Sequence, residues 1–457
     1  MSSFERRLSD GTRIEDLIDV DTREVRVRTL ADAELHQIEM ERIFGKVWQL
    51  LGHESEIPNP NDFMIRALGE DSVLVARDRD GEIHVTLNVC PHRAMRVCRS
   101  DAGNAPTHRC PYHGWAFRPD GAFIGSPVGG ETMHGKLLDK KQLSLKKARV
   151  TLYGGLIFAT WNIDGPSLDE FLGEMKWYFD MLFDRTDKGL EALGPPQRFV
   201  LRANWKSASE QSASDGFHAY TLHEWLGQLA GFGSGDLTSS MLGVEVTSKL
   251  GHSLRCMPMA QKFERGAALK DTSLSLAERL EILAPPGIIP SMAPELERHL
   301  STEQIEQLLL QPPQVGNIFP NLIIEHVYVP QPGGKPLGLF AVHTYMPRGV
   351  DKMEFVNWLL AEKDTPQEMK DAMRKMGVRM LGTSGMIEQD DSDPWLDQAV
   401  LAKGAQARNI TLKYQAIHNP ERPSWWVGPA EVYEGFTKDD TQWNWWLQWR
   451  DLMLNAG

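Results

Sequence analysis

The sequence predicts an α+β fold in two parts: a small all-β module and a larger domain that combines an antiparallel sheet with helices. Three observations carry this. From about Ile57, short β-rich runs alternate with turn dipeptides. At Asn162-Ile163-Asp164-Gly165-Pro166 the chain reads as a linker. Beyond it, strand-like and helix-like runs are mixed, with no internal repeat. A length of 457 residues fits two or three domains at roughly 100–200 residues each. We place an N-terminal segment at residues 1–40, expected to pack on the larger domain. The small module takes 41–162 and the larger domain 163–457.

Taken in order, residues 31–50 set Leu35, Ile38, Ile43, Val47 and Leu50 mostly three and four apart, which predicts one helical face. Ser72–Ala76 and Ile83–Val89 read as strands, with turns at Asp80-Gly81, Asp120-Gly121 and Gly129-Gly130. The module ends in the strand-like run Val150–Trp161. Pro166 and Ser167 open a helix over Ser167–Phe183. Strand structure is then expected at Gln197–Ala203, Gly243–Met257, Leu322–Val329 and Leu337–Tyr345. Helices are expected at Asp351–Glu362 and Pro366–Met376.

Lys plus Arg total 49 against 62 Asp plus Glu, a net charge of −13. That sign argues against binding nucleic acid, whose phosphates need a basic face. No stretch approaches about 18 consecutive apolar residues, so no membrane span is expected. Met1–Thr29 is dense in Arg, Asp and Glu and lacks an apolar core, so no secretory signal is read there. Four Cys in 457 residues make no disulfide framework. The expected compartment is a reducing cytoplasm, where Cys beside His binds metal more often than it cross-links.

The first chemical constellation is such a cluster. Cys90-Pro91-His92 is followed by seventeen residues and then Cys110-Pro111-Tyr112-His113-Gly114-Trp115. Each short loop offers one thiolate and one imidazole. Zinc accepts two Cys and two His, but zinc fingers usually group like with like. A Rieske [2Fe-2S] cluster needs two thiolates on one iron and two imidazoles on the other, and mixed loops deliver that. Pro91 and Pro111 stiffen the loops, Gly114 permits close backbone approach, and Trp115 is placed to shield one side. Cys98 and Cys256 fit neither loop and read as small buried apolar residues.

The second constellation lies in Asn204-Trp205-Lys206 to Trp225, which contains Asp215, His218 and His223. Asp215 and His218 share a helical face. His218 and His223 are five apart, about 140° around a regular helix, so a π-bulge or a break is needed to aim both at one metal. Two His and a carboxylate suit non-haem Fe(II). Taken alone this is a weak motif: two nearby His are more often ordinary surface or core residues, and Asp215 by itself reads as a helix cap. The cluster upstream shifts the balance, because a one-electron donor requires an acceptor.

With CPHR…CPYHGW and NWK…SDGFHAYTLH in this order and at this separation, the sequence resembles the α subunits of Rieske non-haem iron aromatic-ring-hydroxylating dioxygenases. It is similar to the naphthalene and biphenyl dioxygenase branch from about Leu30 to the C-terminus. The resemblance implies a Rieske domain with its [2Fe-2S] cluster on Cys90, His92, Cys110 and His113, and a helix-grip-like catalytic domain. It implies mononuclear Fe(II) on His218 and His223, with a third ligand from the segment GMIEQDDSDPW. Matching favours Asp391 over Asp390. Asp215 matches a bridging carboxylate between an iron-ligand His and a Rieske His of the neighbouring subunit. Relatives commonly carry Glu-Asn and a bulky apolar residue before that carboxylate. Here the segment is Glu210-Gln211-Ser212-Ala213-Ser214, which implies a roomier or more polar pocket.

The resemblance further implies an enzyme that cis-dihydroxylates an aromatic substrate with O2, an aromatic hydrocarbon being favoured over an aromatic acid. Electrons come from NAD(P)H through a reductase and commonly a ferredoxin, and a small β subunit completes an α3β3 assembly. No dinucleotide-binding glycine fingerprint follows a strand, so nicotinamide is not expected to bind here. The motif's neighbourhood gives Gln211, Ser212, Ala213, Phe217, Ala219, Leu222, Leu381 and Ile387 as pocket candidates, with core packing the competing reading. Alternatives are a Rieske monooxygenase or demethylase, and an electron-transfer Rieske protein without mononuclear iron. Trp443, Trp445, Trp446 and Trp449 read as core or as a subunit interface. His53, His84, His108 and His326 receive no role.

Overall fold

In the computed structural model, the described residues are 7–127, 139–225, 243–259, 266–329, 331, 335–417, 420 and 422–455. They form two units, one of Met1–Ile43 with Asp169–Gly457 and one of Phe44–Leu168. Ile18–Asp19 (β1) and Glu24–Arg26 (β2) pair antiparallel near the N-terminus. Helix α1, Ala33–Glu39, starts at Asp32, whose side chain accepts from the Glu34 and Leu35 N–H groups. The helix predicted over 31–50 thus stops early. One π-type turn follows, and Leu50 lies in strand β3 (Gln49–His53). Sheet pairing of that strand with Leu156–Thr160 overrides the helical spacing of its apolar residues.

The smaller unit is all β. Strands β4 (Asp62–Leu68), β5 (Asp71–Arg77), β6 (Ile83–Leu87) and β7 (Ala102–Asn104) form a sheet in the order β6-β5-β4-β7. Short strands β8 (His108–Arg109), β9 (Ala116–Phe117) and β10 (Phe123–Gly125) form a second sheet. The single strand predicted over Val150–Trp161 is instead a hairpin, β11 (Arg149–Tyr153) and β12 (Leu156–Thr160), that joins β3. Gly154 and Gly155 both have positive φ, as a two-residue turn that matches strand twist demands. Gly81 and Gly121 are likewise left-handed at their turns; Gly129-Gly130 lies outside the described residues. Leu51, Met64, Val73, Val75, Val85 and Ile157 form one core. Cys90, Cys110, Trp115, Phe117 and Phe123 belong to a second apolar cluster.

In the larger unit, α2 (Leu168–Leu172) and α3 (Lys176–Phe183) divide the helix predicted over Ser167–Phe183, with Gly173 at positive φ between them. Strands β13 (Leu190–Ala192) and β14 (Gln197–Leu201) precede α4 (Trp205–Gln211) and α5 (Phe217–Thr221). Gly243–Met257 is a hairpin of β15 (Val244–Thr247) and β16 (Ser253–Cys256). Helices α6 (Leu276–Ile282), α7 (Ala293–His299) and α8 (Thr302–Leu310) lead to β17 (Pro313–Ile318), β18 (Leu322–Val329), β19 (Leu337–Pro347) and β20 (Met353–Glu362). Helices α9 (Gln367–Leu381) and α10 (Glu388–Leu401), strands β21 (Thr411–Lys413) and β22 (Glu431–Glu434), and helix α11 (Asp440–Leu454) complete the unit. Strand β21 pairs with β2. The main sheet runs β13-β20-β19-β18-β17-β16-β15-β22, with β14 also on β20, and every pairing is antiparallel.

This is the α+β architecture expected. One element differs in type. The helix predicted over Asp351–Glu362 is strand β20, buried along its whole length. A strand covered on both faces loses its polar alternation, so its apolar run matches a buried helix equally well.

One face of β19 and β20 packs under α9 through Leu339, Ala341, Leu359, Met380 and Leu381, and Trp395 of α10 meets Tyr345 of β19 edge-on. Elsewhere, Trp443, Trp445, Trp446 and Trp449 of α11 are all buried within the chain. Glu39 lies among them with no exposed surface. It accepts from Trp449 Nε1 (2.9 Å), Trp205 Nε1 (2.9 Å) and Lys206 Nζ (2.6 Å), and so anchors the N-terminal helix.

Candidate metal centres

The two Cys/His loops close in the same way. Cys90 N donates to Met95 O and Ala94 N to Cys90 O; Cys110 N donates to Trp115 O and Gly114 N to Cys110 O, all at 2.8–3.0 Å. The fourth residue after each Cys, Ala94 or Gly114, takes a positive φ. A Cβ on Gly114 would meet Pro127 Cγ at 2.5 Å, so glycine is required there.

Both thiols are only 2% exposed. His92 is half-buried and His113 exposed, with ring centroids 4.5 Å apart. Trp115 stacks on His92 at 4.8 Å. Sulfur therefore faces inward and imidazole outward. Burial, with Cys110 adjacent, pushes the Cys90 thiol up to about 11. Such a pair becomes thiolate only against strong positive charge, which cluster iron supplies. The donor set fits a [2Fe-2S] group. Cys256 is buried as expected, whereas Cys98 is only partly so, its Sγ near Ser100 O.

The second set of donors is built by a helix break. Helix α5 ends at Thr221, and His223 sits in the turn that follows, so a local break and not a bulge re-aims it. Asp215 lies between α4 and α5, after Ser214 at positive φ. Its Oδ1 accepts from Phe217 N (2.9 Å) and His218 N (3.2 Å), while Oδ2 lies 3.3 Å from His218 Nδ1. It is thus both cap and partner to His218. Burial would raise its carboxyl, but His218 and Arg255 outweigh that and hold it below the ordinary value.

Donor atoms of His218, His223 and Asp391 all lie within 4.8 Å of one another. Asp391 Oδ1 is 3.2 Å from His223 Nε2 and 3.6 Å from His218 Nε2. Asp390 does something else. Its Oδ2 lies 3.2 Å from His223 Nδ1 and accepts from Trp225 Nε1 at 2.6 Å. Each imidazole is therefore backed at Nδ1 by a carboxylate, Asp215 or Asp390, and presents Nε2 toward Asp391. A proton on Nδ1 leaves the Nε2 lone pair free for a metal. Burial pushes His223 down, yet Asp391 and Asp390 outweigh it and the net shift is upward, as expected where a cation is favoured. The donor set fits one mononuclear iron.

Residues 47–134 match the family of the Rieske [2Fe-2S] domain, and residues 168–411 match that of the ring hydroxylating alpha subunit (catalytic domain). The chain belongs to the ring-hydroxylating α-subunit family. As a terminal oxygenase α subunit it uses a Rieske cluster and mononuclear iron, and α subunits of this family work in multicomponent enzymes. It is 34% identical over 436 residues to the chlorobenzene dioxygenase subunit alpha of Cupriavidus sp. (strain PS12), covering 94% of this chain and 91% of that one. It is 31% identical to the N,N-dimethyl phenylurea N-demethylase subunit alpha of Sphingobium sp. (strain YBL2), covering 97% and 95%. Its fold matches naphthalene 1,2-dioxygenase from Rhodococcus sp. bound to indole, with a TM-score of 0.81, 33% identity and 95% of each chain covered. Among the described residues no helix is long and apolar enough to cross a membrane.

In this α subunit the pocket candidates are dispersed. Ala213 is fully buried, and Leu381 and Ile387 join the apolar layer beneath α9. Ser212 Oγ bonds back to Ala208 O, and Ala219 and Leu222 are partly buried. Phe217 is 52% exposed. Gln211 has a contact that local spacing did not reveal. Its Nε2 donates to Asp391 Oδ1 (2.8 Å), and its Oε1 accepts from Trp395 Nε1 (2.7 Å). Gln211 lies 180 residues from Asp391 in sequence, so no local pattern exposes the pair.

Gln211→Leu is expected to weaken Fe(II) binding or turnover about 10–100-fold, the usual cost of losing a group that orients a metal ligand. Fe(II) titration with the Rieske absorbance as a control checks this. Wild-type affinity and rate in the variant would remove the positioning role.

Proposed function

We propose that this chain is the terminal oxygenase α subunit that cis-dihydroxylates an aromatic hydrocarbon. Cys90, His92, Cys110 and His113 hold its [2Fe-2S] cluster, and His218, His223 and Asp391 hold its iron. The convergence of two Nε2 atoms and Asp391 Oδ1, each imidazole backed by its own carboxylate, carries this reading. When bound, the cluster supplies single electrons and the ferrous ion activates dioxygen. The chain's own residues orient the ligands through Asp215, Asp390 and Gln211. Leu222, Leu381 and Ile387 supply apolar surface, where burial contributes about 25 cal/mol per Å² of arene before ordering costs. The hydrocarbon reading is supported by similarity to chlorobenzene and naphthalene dioxygenases. We further propose a small β subunit in an α3β3 assembly, electrons from NAD(P)H through a reductase and ferredoxin, an Asp215 link to a Rieske His of the neighbouring subunit, and a cytoplasmic location.

The test is a panel of monocyclic and polycyclic arenes with purified electron-transfer components under 18O2, read by mass spectrometry. Two labelled atoms in a cis-diol are expected, and a single labelled atom would overturn dihydroxylation. A second reading, oxidative N-demethylation, is supported by the phenylurea demethylase relative; an N-methyl arylurea in the same panel tests it by loss of the methyl group.

A further inference from the structure

Among the described residues, a further set of donors converges apart from the Cys/His loops and the His218–His223–Asp391 group. Glu325 on β18 and His343 on β19 lie on adjacent strands. Ile323 faces His343 and Glu325 faces Ala341, so Glu325 and His343 are diagonal neighbours on one face of the sheet. Glu388, the first residue of α10, is brought against that face. A carboxylate oxygen from each Glu and an imidazole nitrogen all lie within 4.8 Å of one another.

The surroundings make this set costly as it stands. Glu325, His343 and Glu388 are 9%, 1% and 3% exposed. Leu339 and Ala341 share the sheet face of His343, and Leu381 packs with them, so apolar surface flanks the donors on one side. Among the described residues, Glu325 Oε2, Glu388 Oε2 and His343 Nδ1 make no hydrogen bond. His343 Nε2 is 3.3 Å from the Tyr345 hydroxyl, which leaves Nδ1 without a partner. Burial holds His343 neutral, pushed down to about 3, so its lone pair is available. Two carboxylates and an imidazole buried together, each with an atom lacking a hydrogen bond, are expensive to keep unpartnered, with Arg255 offsetting Glu325 only in part. A divalent ion would satisfy the donors and cancel the charge together. Two carboxylates and one imidazole, without thiolate, suit Mn2+ or Fe2+ over soft ions; Ca2+ needs more oxygens.

We propose that Glu325, His343 and Glu388 form a second divalent-cation site, separate from the iron site at His218, His223 and Asp391. The experiment counts metal on the full chain. Anaerobically purified protein is loaded with Fe2+, desalted, exposed to Mn2+, desalted again and analysed by plasma mass spectrometry, with the cluster measured independently by acid-labile sulfide. The wild type is expected to retain one ion more than the cluster and the His218 site account for. Glu325→Gln and His343→Gln are each expected to lose that ion while keeping the Rieske absorbance and the His218-site ion, which report folding of the smaller and the larger unit. His218→Ala is expected to lose a different ion, so the double variant with Glu325→Gln loses both. This separates failure of the iron site from failure of the second site. A wild type without the extra ion, or Glu325→Gln and His343→Gln variants that retain it, would overturn the proposal.

Discussion

Asp215→Ala is expected to leave both metal centres filled and to cut product formation about 100-fold, the upper end of losses for groups that orient metal ligands. Its two oxygens have different tasks. Oδ1 caps the start of α5, and loss of a cap costs about 1 kcal/mol, too little to unfold the unit. Oδ2 faces His218 Nδ1 and fixes which ring nitrogen carries the proton. Without it the imidazole turns more freely and its Nε2 lone pair is no longer held toward Asp391. Asp215→Asn separates the two tasks, because it keeps a capping oxygen and loses the charge. It is expected to restore stability without restoring turnover. Iron content, Rieske absorbance and initial rate on one preparation check this. Turnover near wild type in Asp215→Ala would remove the role.

The second large effect concerns stability. Glu39→Ala is expected to destabilise the larger unit by about 3–5 kcal/mol, the cost of stranding a buried charge. The variant leaves Lys206 inside the protein without its anion and two indole N–H groups without an acceptor. Burial already pulls the Lys206 ammonium below its ordinary value, opposed by Glu39. Removing both charges as Glu39→Met with Lys206→Met is expected to recover the part of the loss due to the stranded ammonium, while the two indole N–H groups stay without an acceptor. Urea unfolding followed by Trp fluorescence tests both variants. A single variant as stable as wild type would show the pair to be dispensable.

Legibility in the sequence followed distance along the chain. The two Cys/His loops were readable because each delivers its donors within four residues, and stiff prolines and Gly114 mark them. The fold class was readable from turn dipeptides and strand runs. The errors fell where local pattern is ambiguous. Strand β20 has no polar face, so its period is hidden. The runs Val150–Trp161 and Gly243–Met257 each contain a turn, at Gly154-Gly155 and between Thr247 and Ser253, that splits them into two paired strands. Residues 31–50 kept helical spacing past the point where pairing with β12 takes the chain into a sheet.

By itself the sequence determined the chemistry on offer: two thiols and two imidazoles on paired loops, then two histidines that no regular helix aims together. Tertiary structure alone decided how acidic side chains are shared among them. Asp390 and Asp391 are neighbours in the chain, yet one backs His223 at Nδ1 and the other faces both Nε2 atoms. Glu325 and Glu388 join His343 only because the sheet and α10 meet there. Adjacent residues on a helix point about 100° apart, and which direction meets a distant partner depends on packing that local spacing does not encode.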